Sequence, residues 1–467
     1  MHLRPFLLAA ALVSVPVVPS SAQDYWTLER IRAQEAADAA GPQGTRPLGV
    51  PQYASDPLAQ MLQEALFLVS LQQLQPGSDF GGMKEGETLL NIIQTDNTTE
   101  SIWVWSRYRL LTGDTQFDAN IAAAWEYVRT HPAYAEEGGS GSGGYYRIYN
   151  CGWAMVAEPM YRAATGDTAF RNYALQCAQY VMSNPLGSSP LNLLTHVQGW
   201  AAGALYDFGV ETGDAAMRAS AVAYGEAMRQ RIETTPSILS SESWAMAGGA
   251  AMWGVLRSTF RENPGGRTWA QTYAPLLDVV DFNGSWRLAH TGWYALGHYE
   301  AWKATGDPAF LLDHRTAYDY LVAADGDDDG GIPSTDPLAV GTDESWVSNY
   351  LAFMGMELVR PPFSVAVGDD LVTVAGGQLW GTTLGIANQR GQQLEGIFLL
   401  EVVLPGDLAL PWLGPAPLKL NPFQGLSVPS YPLLVPNGLP PGEYALRLSA
   451  FDVSGLVDSA AAVVQLP

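Results

Sequence analysis

The sequence predicts a mainly α-helical chain: an (α/α)6 toroid over residues 55–360, then a small all-β immunoglobulin-like sandwich over 361–467. Three observations carry that prediction. The tripeptide T-G-D recurs at 112–114, 165–167, 212–214 and 305–307, each time between two apolar-periodic segments. Its spacing, about fifty residues or twice that where a degenerate copy intervenes, belongs to repeat architectures. After "MELVRPPF" the texture changes to Pro/Gly-rich sequence with short alternating runs such as "GIFLLEVVL" and "GEYALRLSAFDV".

The chain opens "MHLRPFLLAAALVSVPVVPSSAQ", with a short basic start, an apolar stretch and small residues at Ser20 and Ala22. This pattern predicts a secretory signal peptide over 1–22, cleaved after Ala22, and hence a secreted or extracytoplasmic protein. Residues 23–54 read as an irregular leader. No later segment is apolar enough to cross a bilayer, so an integral membrane protein is not expected. A net charge of −23 argues against nucleic acid as a partner, because polyphosphate would be repelled. Cys151 and Cys177 fall in one predicted helical hairpin; export permits a disulfide, and two cysteines alone do not make a zinc site.

In each T-G-D copy, Gly supplies the left-handed residue that stops one helix and Asp caps the next. "VWSRYRLLTGDTQFDANIAAAWEYVRT" is therefore a helical hairpin, and the copies ending at Gly166, Gly213 and Gly306 repeat it. Between the last two, "SESWAMAGGAAMWGVLRSTF" and "RTWAQTYAPLLDVV" form a copy with the degraded turn "RENPGG". The segment 56–74 lacks a partner before it and 343–359 lacks one after it. Pairing these two orphans closes a ring of six inner and six outer helices. The nearly uncharged, Gly/Ala-rich first helices suit the inner ring.

All inner helices then begin at one mouth. Counting back from each turn glycine places Asp96 and Asn97, Tyr149 and Asn150, His196 and His290 at equivalent heads. The copies without T-G-D begin at Glu242 and at Asp343-Glu344. A tryptophan lies close behind each head: Trp103, Trp153, Trp200, Trp244, Trp293 and Trp346. Asp and Asn at such positions are also ordinary N-caps, and indoles on inner helices are also ordinary core. Histidine is a poor cap, however, and carboxylates, imidazoles, amides and indoles around one cavity are what a sugar site needs. Asn97, Tyr149, Asn150, Trp153, Trp200, Trp244, Trp293 and Trp346 are the expected substrate contacts.

The repeated hairpin ending Y-x-x-x-T-G-D resembles the six-hairpin glycosidase superfamily over about 300 residues, a superfamily that includes epimerases, hydrolases and lyases. In its unsaturated glucuronyl hydrolases an Asp heads the second inner helix; Asn150 stands at the matching position here. "TDNTTESIW" (95–103), "GGYYRIYNCGWAM" (143–155) and "PSILSSES" (236–243) resemble, in order, three stretches of the α/α-toroid pectate lyases. The acidic pair of that family's middle stretch is absent, because Cys151-Gly152 follow Asn150. "SLQQLQPGSDFGGM" (70–83) is similar to a turn of the terpenoid-cyclase toroids, unaccompanied by their DxDD motif.

The loop "DGDDDGGIPSTD" places Asp325, Asp327 and Asp329 at positions 1, 3 and 5, Gly330 at 6 and Asp336 at 12. That is calcium-loop spacing, and it predicts a structural Ca2+ held by Asp325, Asp327, Asp329 and Asp336. An acidic turn between helices is the competing reading. No motif for an organic cofactor is present.

Carbohydrate is the expected partner. A hydrolase needs a general acid and a second carboxylate; Asp96 and Asp343 are the expected pair, with Glu242 across the cavity, and Glu100 and Glu344 are also available. A polysaccharide lyase needs a base, a leaving-group acid and a holder for the uronic carboxylate. His196 or His290, Tyr146 or Tyr149, and Asn150 with Arg147 would supply these. A glycan-binding protein without catalysis is the third reading.

Overall fold

A computed structural model of the chain describes residues 56–135, 145–185, 192–239, 247–278, 287–359, 363–368, 372–390, 393–452 and 455–467. The expected signal peptide and the whole of the leader lie outside the described residues, as do Glu242 and Trp244. No helix among the described residues is long and apolar enough to cross a membrane.

The chain enters with outer helix α1 (Pro57–Leu71), followed by a two-stranded ribbon of β1 (Met83–Lys84) and β2 (Ile93–Gln94). Helical hairpins follow: α2 (Thr95–Thr112) with α3 (Asp118–Thr130), α4 (Tyr145–Thr165) with α5 (Arg171–Ser183), and α6 (Asn192–Thr212) with α7 (Ala215–Thr234). The degenerate copy is α8 (Ala247–Arg257), a one-turn α9 (Thr259–Glu262) and a short α10 (Gly266–Tyr273). Then come α11 (Arg287–Thr305) with α12 (Pro308–Val322), and finally α13 (Ser345–Val359).

Six inner helices pack in cyclic order, α2 on α4, α4 on α6, α6 on α8, α8 on α11, α11 on α13, and α13 back on α2. The orphan helices at the two ends, α1 and α13, pack together as ring closure requires. Glycine permits the close inner contacts: a Cβ on Gly254 would lie 2.1 Å from the carbonyl oxygen of Gly199.

The T-G-D turn has one mechanism with two outcomes. Gly113, Gly166, Gly213 and Gly306 all adopt φ between +68° and +76°, the left-handed stop. In three copies the threonine hydroxyl donates to the carbonyl four residues back and accepts the Asp N–H, at 3.1 Å for Thr112, Thr165 and Thr305. Asp214 and Asp307 then cap α7 and α12 as expected. Asp114 and Asp167 instead hold a turn, and their outer helices start four residues later. The cause is an aromatic anchor: Phe117 packs on Trp105, and Phe170 stacks on Trp125 at 4.1 Å.

Cys151 on α4 and Cys177 on α5 are both buried and unbridged, and they face each other across their hairpin. Burial pushes the Cys151 thiol well up, and the adjacent Cys177 adds to it.

Beyond the ring, β3 (Phe363–Gly368), β5 (Leu379–Asn388) and β8 (Gly425–Leu434) form one antiparallel sheet in the order β3-β5-β8. The second sheet has the order β4-β10-β9-β6-β7, from β4 (Val372–Thr373), β6 (Leu394–Leu404), β7 (Leu408–Leu420), β9 (Gly442–Asp452) and β10 (Gly455–Leu466). Its pairings are antiparallel except β4 with β10. The sheets share one apolar core that includes Val365, Trp380, Leu400, Leu433 and Leu448. This unit docks on the turn of the fifth hairpin, the fourth T-G-D, far along α11 from the mouth: the Trp302 indole N–H donates to Ser364 at 2.9 Å, and Lys303 Nζ to the Val365 carbonyl at 2.8 Å.

Candidate active site

The segments leading into α4, α6, α8 and α11 lie outside the described residues, so the site is built from the inner-helix heads themselves. The first head is the most elaborate. Gln94 precedes α2 with no side-chain cap, and Thr98 donates back to the Gln94 carbonyl at 2.6 Å. Asp96 is thereby spared capping duty and accepts a hydrogen bond from the Tyr146 hydroxyl at 2.6 Å. Only 4% of Asp96 is exposed, and burial pushes its carboxyl up to about 6; the Tyr146 hydroxyl and first-turn N–H groups restrain the rise.

One helical turn further, Glu100 is buried on the same face. Its Oε1 accepts from the Tyr149 hydroxyl at 3.2 Å and its Oε2 from Asn349 Nδ2 at 3.2 Å. Burial raises this carboxyl well above the ordinary glutamate value, and the neighbouring Asp96 charge raises it further. The pair therefore has two features that acid–base chemistry uses: adjacent buried carboxyls, and ionisation shifted upward in both, to about 6 for Asp96 and further from the ordinary value for Glu100 in the same direction.

Around the pair stands an aromatic wall. The hydroxyls of Tyr149 and Tyr350 make a short hydrogen bond, and the Tyr146 and Tyr149 rings stack at 6.1 Å. His196 lies 5.5 Å from the Tyr149 ring and meets Trp293 edge-on at 4.9 Å. His290 is buried without a hydrogen-bond partner on either nitrogen, and desolvation lowers it to about 4, so it is a neutral imidazole. Asn97 donates to Glu85 at 2.8 Å and ties the β1–β2 loop to the helix. Asn150 is fully buried in α4.

The tryptophans are elsewhere than expected. Trp153, Trp200 and Trp293 are buried and fill the ring's centre, Trp153 against Trp200 at 4.3 Å and Trp200 against Trp253 at 5.3 Å. A sugar-stacking platform needs an open face, and these faces are covered by one another. Trp346 donates its indole N–H to Glu344 and packs edge-on against Tyr350 at 5.6 Å. Ser334 also donates to Glu344, and burial raises that carboxyl to about 7.

Asp343 does not join Asp96. The segment 343–345 runs between two others: Asp343 exchanges hydrogen bonds with Glu87, Ser345 N–H donates to the Glu85 carbonyl, and Glu344 N–H to the Ile332 carbonyl. This seam ties the loop before the first inner helix to the head of the last. It also turns the buried Asp343 carboxylate toward Asp325, Asp327 and Asp329, with ligand oxygens of all four within 4.8 Å of one another. Asp336, the expected twelfth-position ligand, is instead 80% exposed in its side chain and pairs with Arg287 at 3.2 Å. Pro333, pinned in a bridge to Asp343, leads the chain away before position 12 can turn inward.

Glu85, Glu87, Asn349 and Tyr350 were not anticipated. Tyr350 and Asn349 sit one turn into α13, on the face set by Trp346 and Ser345, so helical spacing from the expected heads was the available signal.

No protein-family model and no curated protein matches the chain. Among solved structures it is similar to a GH76 α-mannanase of Bacteroides thetaiotaomicron, with 11% identity, TM-score 0.44, and coverage of 65% of this chain and 95% of that one. It is also similar to a GH127 β-arabinofuranosidase, with 11% identity, TM-score 0.43, and coverage of 91% and 95%. A GH127 β-L-arabinofuranosidase of Geobacillus stearothermophilus T6 gives 10% identity, TM-score 0.43, and coverage of 80% and 76%. These neighbours are glycoside hydrolases; the toroid itself rests on the closed order of this chain's own helices.

Proposed function

We propose that this protein is an exported glycoside hydrolase whose acid–base pair is Asp96 and Glu100, acting on a poly- or oligosaccharide. The carrying observation is the buried carboxyl pair one helical turn apart, with a tyrosine donor on each member and an asparagine donor on Glu100 as well. Glu100, whose proton burial and the neighbouring Asp96 charge help to hold, gives that proton to the glycosidic oxygen as the bond to the anomeric carbon breaks. Asp96, ionised above about pH 6, meets the developing positive charge. Side chains at i and i+4 stand about 5–6 Å apart at Cβ. With the carboxyl groups at a comparably short separation, the second carboxylate bonds the sugar and water later releases it, with Glu100 then taking water's proton. Asp343 is assigned no proton-transfer role. The two-sheet unit is read as an immunoglobulin-like accessory domain that braces the fifth hairpin.

A second reading, β-elimination on a uronic glycan, is favoured by His196 packed against Tyr149. The imidazole would take the proton beside the uronic carboxylate and the phenol would protonate the leaving oxygen. One experiment separates the readings: incubation with neutral and with uronic polysaccharides, following reducing ends and the ultraviolet absorbance of a new C=C bond together. Reducing ends alone support the hydrolase. Both signals support the lyase. Binding without either product supports a glycan-binding protein.

A further inference from the structure

We propose that Asp325, Asp327, Asp329 and Asp343 form a calcium site that locks the seam of the ring. The decisive group is Asp343. It is 0% exposed, neither of its carboxylate oxygens has a hydrogen-bond donor, and it points into a cluster of three further carboxylates. Among the described residues no lysine or arginine pairs with any of the four. A buried carboxylate facing like charges without a donor is a large electrostatic penalty, and a divalent cation at the shared point removes it.

The surroundings prevent the cluster from relaxing apart. A Cβ on Gly331 would lie 2.8 Å from Asp343 Oδ2 and 2.7 Å from the Phe67 ring, so the loop already touches the carboxylate. Gly330, at φ +94°, backs onto the Gln63 carbonyl in α1. The loop's own N–H groups orient its ligands: those of Asp327, Asp328 and Gly330 donate to Asp325, and that of Gly331 to Asp329. Each carboxylate oxygen so held keeps a lone pair for a cation. All the donors are oxygens, and three come from one loop, which suits calcium over Mg2+, with its strict octahedron, and over the transition metals that prefer imidazole or thiolate. The site joins the loop after α12 to the head of α13, and through the Asp343–Glu87 hydrogen bonds to the loop before α2.

The test uses the full chain dialysed against EDTA, titrated with CaCl2 or MgCl2, and read by calorimetry and thermal melting. The expected result is one Ca2+ per chain, a Tm raised by several degrees, and weaker binding of Mg2+. Asp343→Asn should weaken calcium binding by about tenfold or more, since ligand charge sets affinity. Asp327→Asn, at an exposed position that does not threaten folding, should weaken it too. Asp336→Asn should bind as the unaltered chain does. The proposal is overturned if the unaltered chain shows neither heat nor a Tm change with calcium. It is equally overturned if Asp336→Asn loses binding while Asp343→Asn and Asp327→Asn retain it.

Discussion

Two groups of acids occupy the same end of the ring, each with a buried member, and they differ in what their neighbours donate. Asp96 and Glu100 accept from Tyr146, Tyr149 and Asn349. Asp343 and its three partners receive nothing from any hydroxyl or amide side chain, only backbone N–H groups on the two loop residues Asp325 and Asp329. Donors let a buried carboxyl hold either charge state at modest cost, which is what proton transfer requires. Without donors, like charges at contact range must be neutralised by something else, and a cation is the direct solution. Residue type alone does not separate the two groups; the donor inventory does.

The largest effect that would break this contrast is on catalysis. Glu100→Gln and Asp96→Asn should each lower glycan turnover by about 10³-fold, within the range for loss of a general acid or base, while Asp343→Asn with saturating calcium should retain most of the rate. Rates of reducing-end release across the three variants check this.

Next in size is a stability effect of opposite sign. Folded Asp96 ionises at about 6, above its ordinary 3.8, so its contribution is fully present below pH 4 and is lost as pH rises through 6. Asp96→Asn keeps an acceptor for Tyr146 and removes the buried charge. The variant should therefore be more stable than the parent at pH 7, by up to about 3 kcal/mol, and no more stable at pH 3. Urea unfolding at the two pH values measures the difference.

Smaller still, Tyr146→Phe removes the hydroxyl that restrains Asp96. The acidic limb of the pH–rate profile should move to higher pH, with turnover down about tenfold. The smallest expected effect is that of Asp336→Asn on melting temperature with or without calcium, near zero for an exposed ion pair.

The ring was legible in the sequence because its turn has a local mechanism: the threonine bridge, the left-handed glycine and the aspartate are one chemical unit, copied. The outer-helix starts after Asp114 and Asp167 were not legible, since Phe117 and Phe170 displace them through contacts to rings on other helices. Register counting expects Asp96 beside Asp343, whereas the carboxyl that the Asp96 charge reaches is Glu100. Ring closure brings the heads of α2 and α13 near each other, but the strand-like seam through Glu85 and Glu87 rotates Asp343 away, and that seam has no periodic signature. The tryptophans share a register because a ring of Gly/Ala-rich helices leaves a central volume that large aromatic rings fill, Phe353 and Tyr350 among the indoles. Spacing marked three carboxylates of the acidic cluster, and the fourth comes from a helix head outside the loop.

The central claim is that catalysis belongs to the donor-supplied pair. Its most direct test is the pH dependence of reducing-end release by the parent chain and by Glu100→Gln, on whichever glycan the parent cleaves, at saturating calcium. The parent profile should rise through about pH 6 as Asp96 ionises, and the Glu100→Gln variant should show almost no rate at any pH. A Glu100→Gln variant with the parent's rate, alongside an inactive Asp343→Asn, would contradict that claim and move the chemistry to the other cluster.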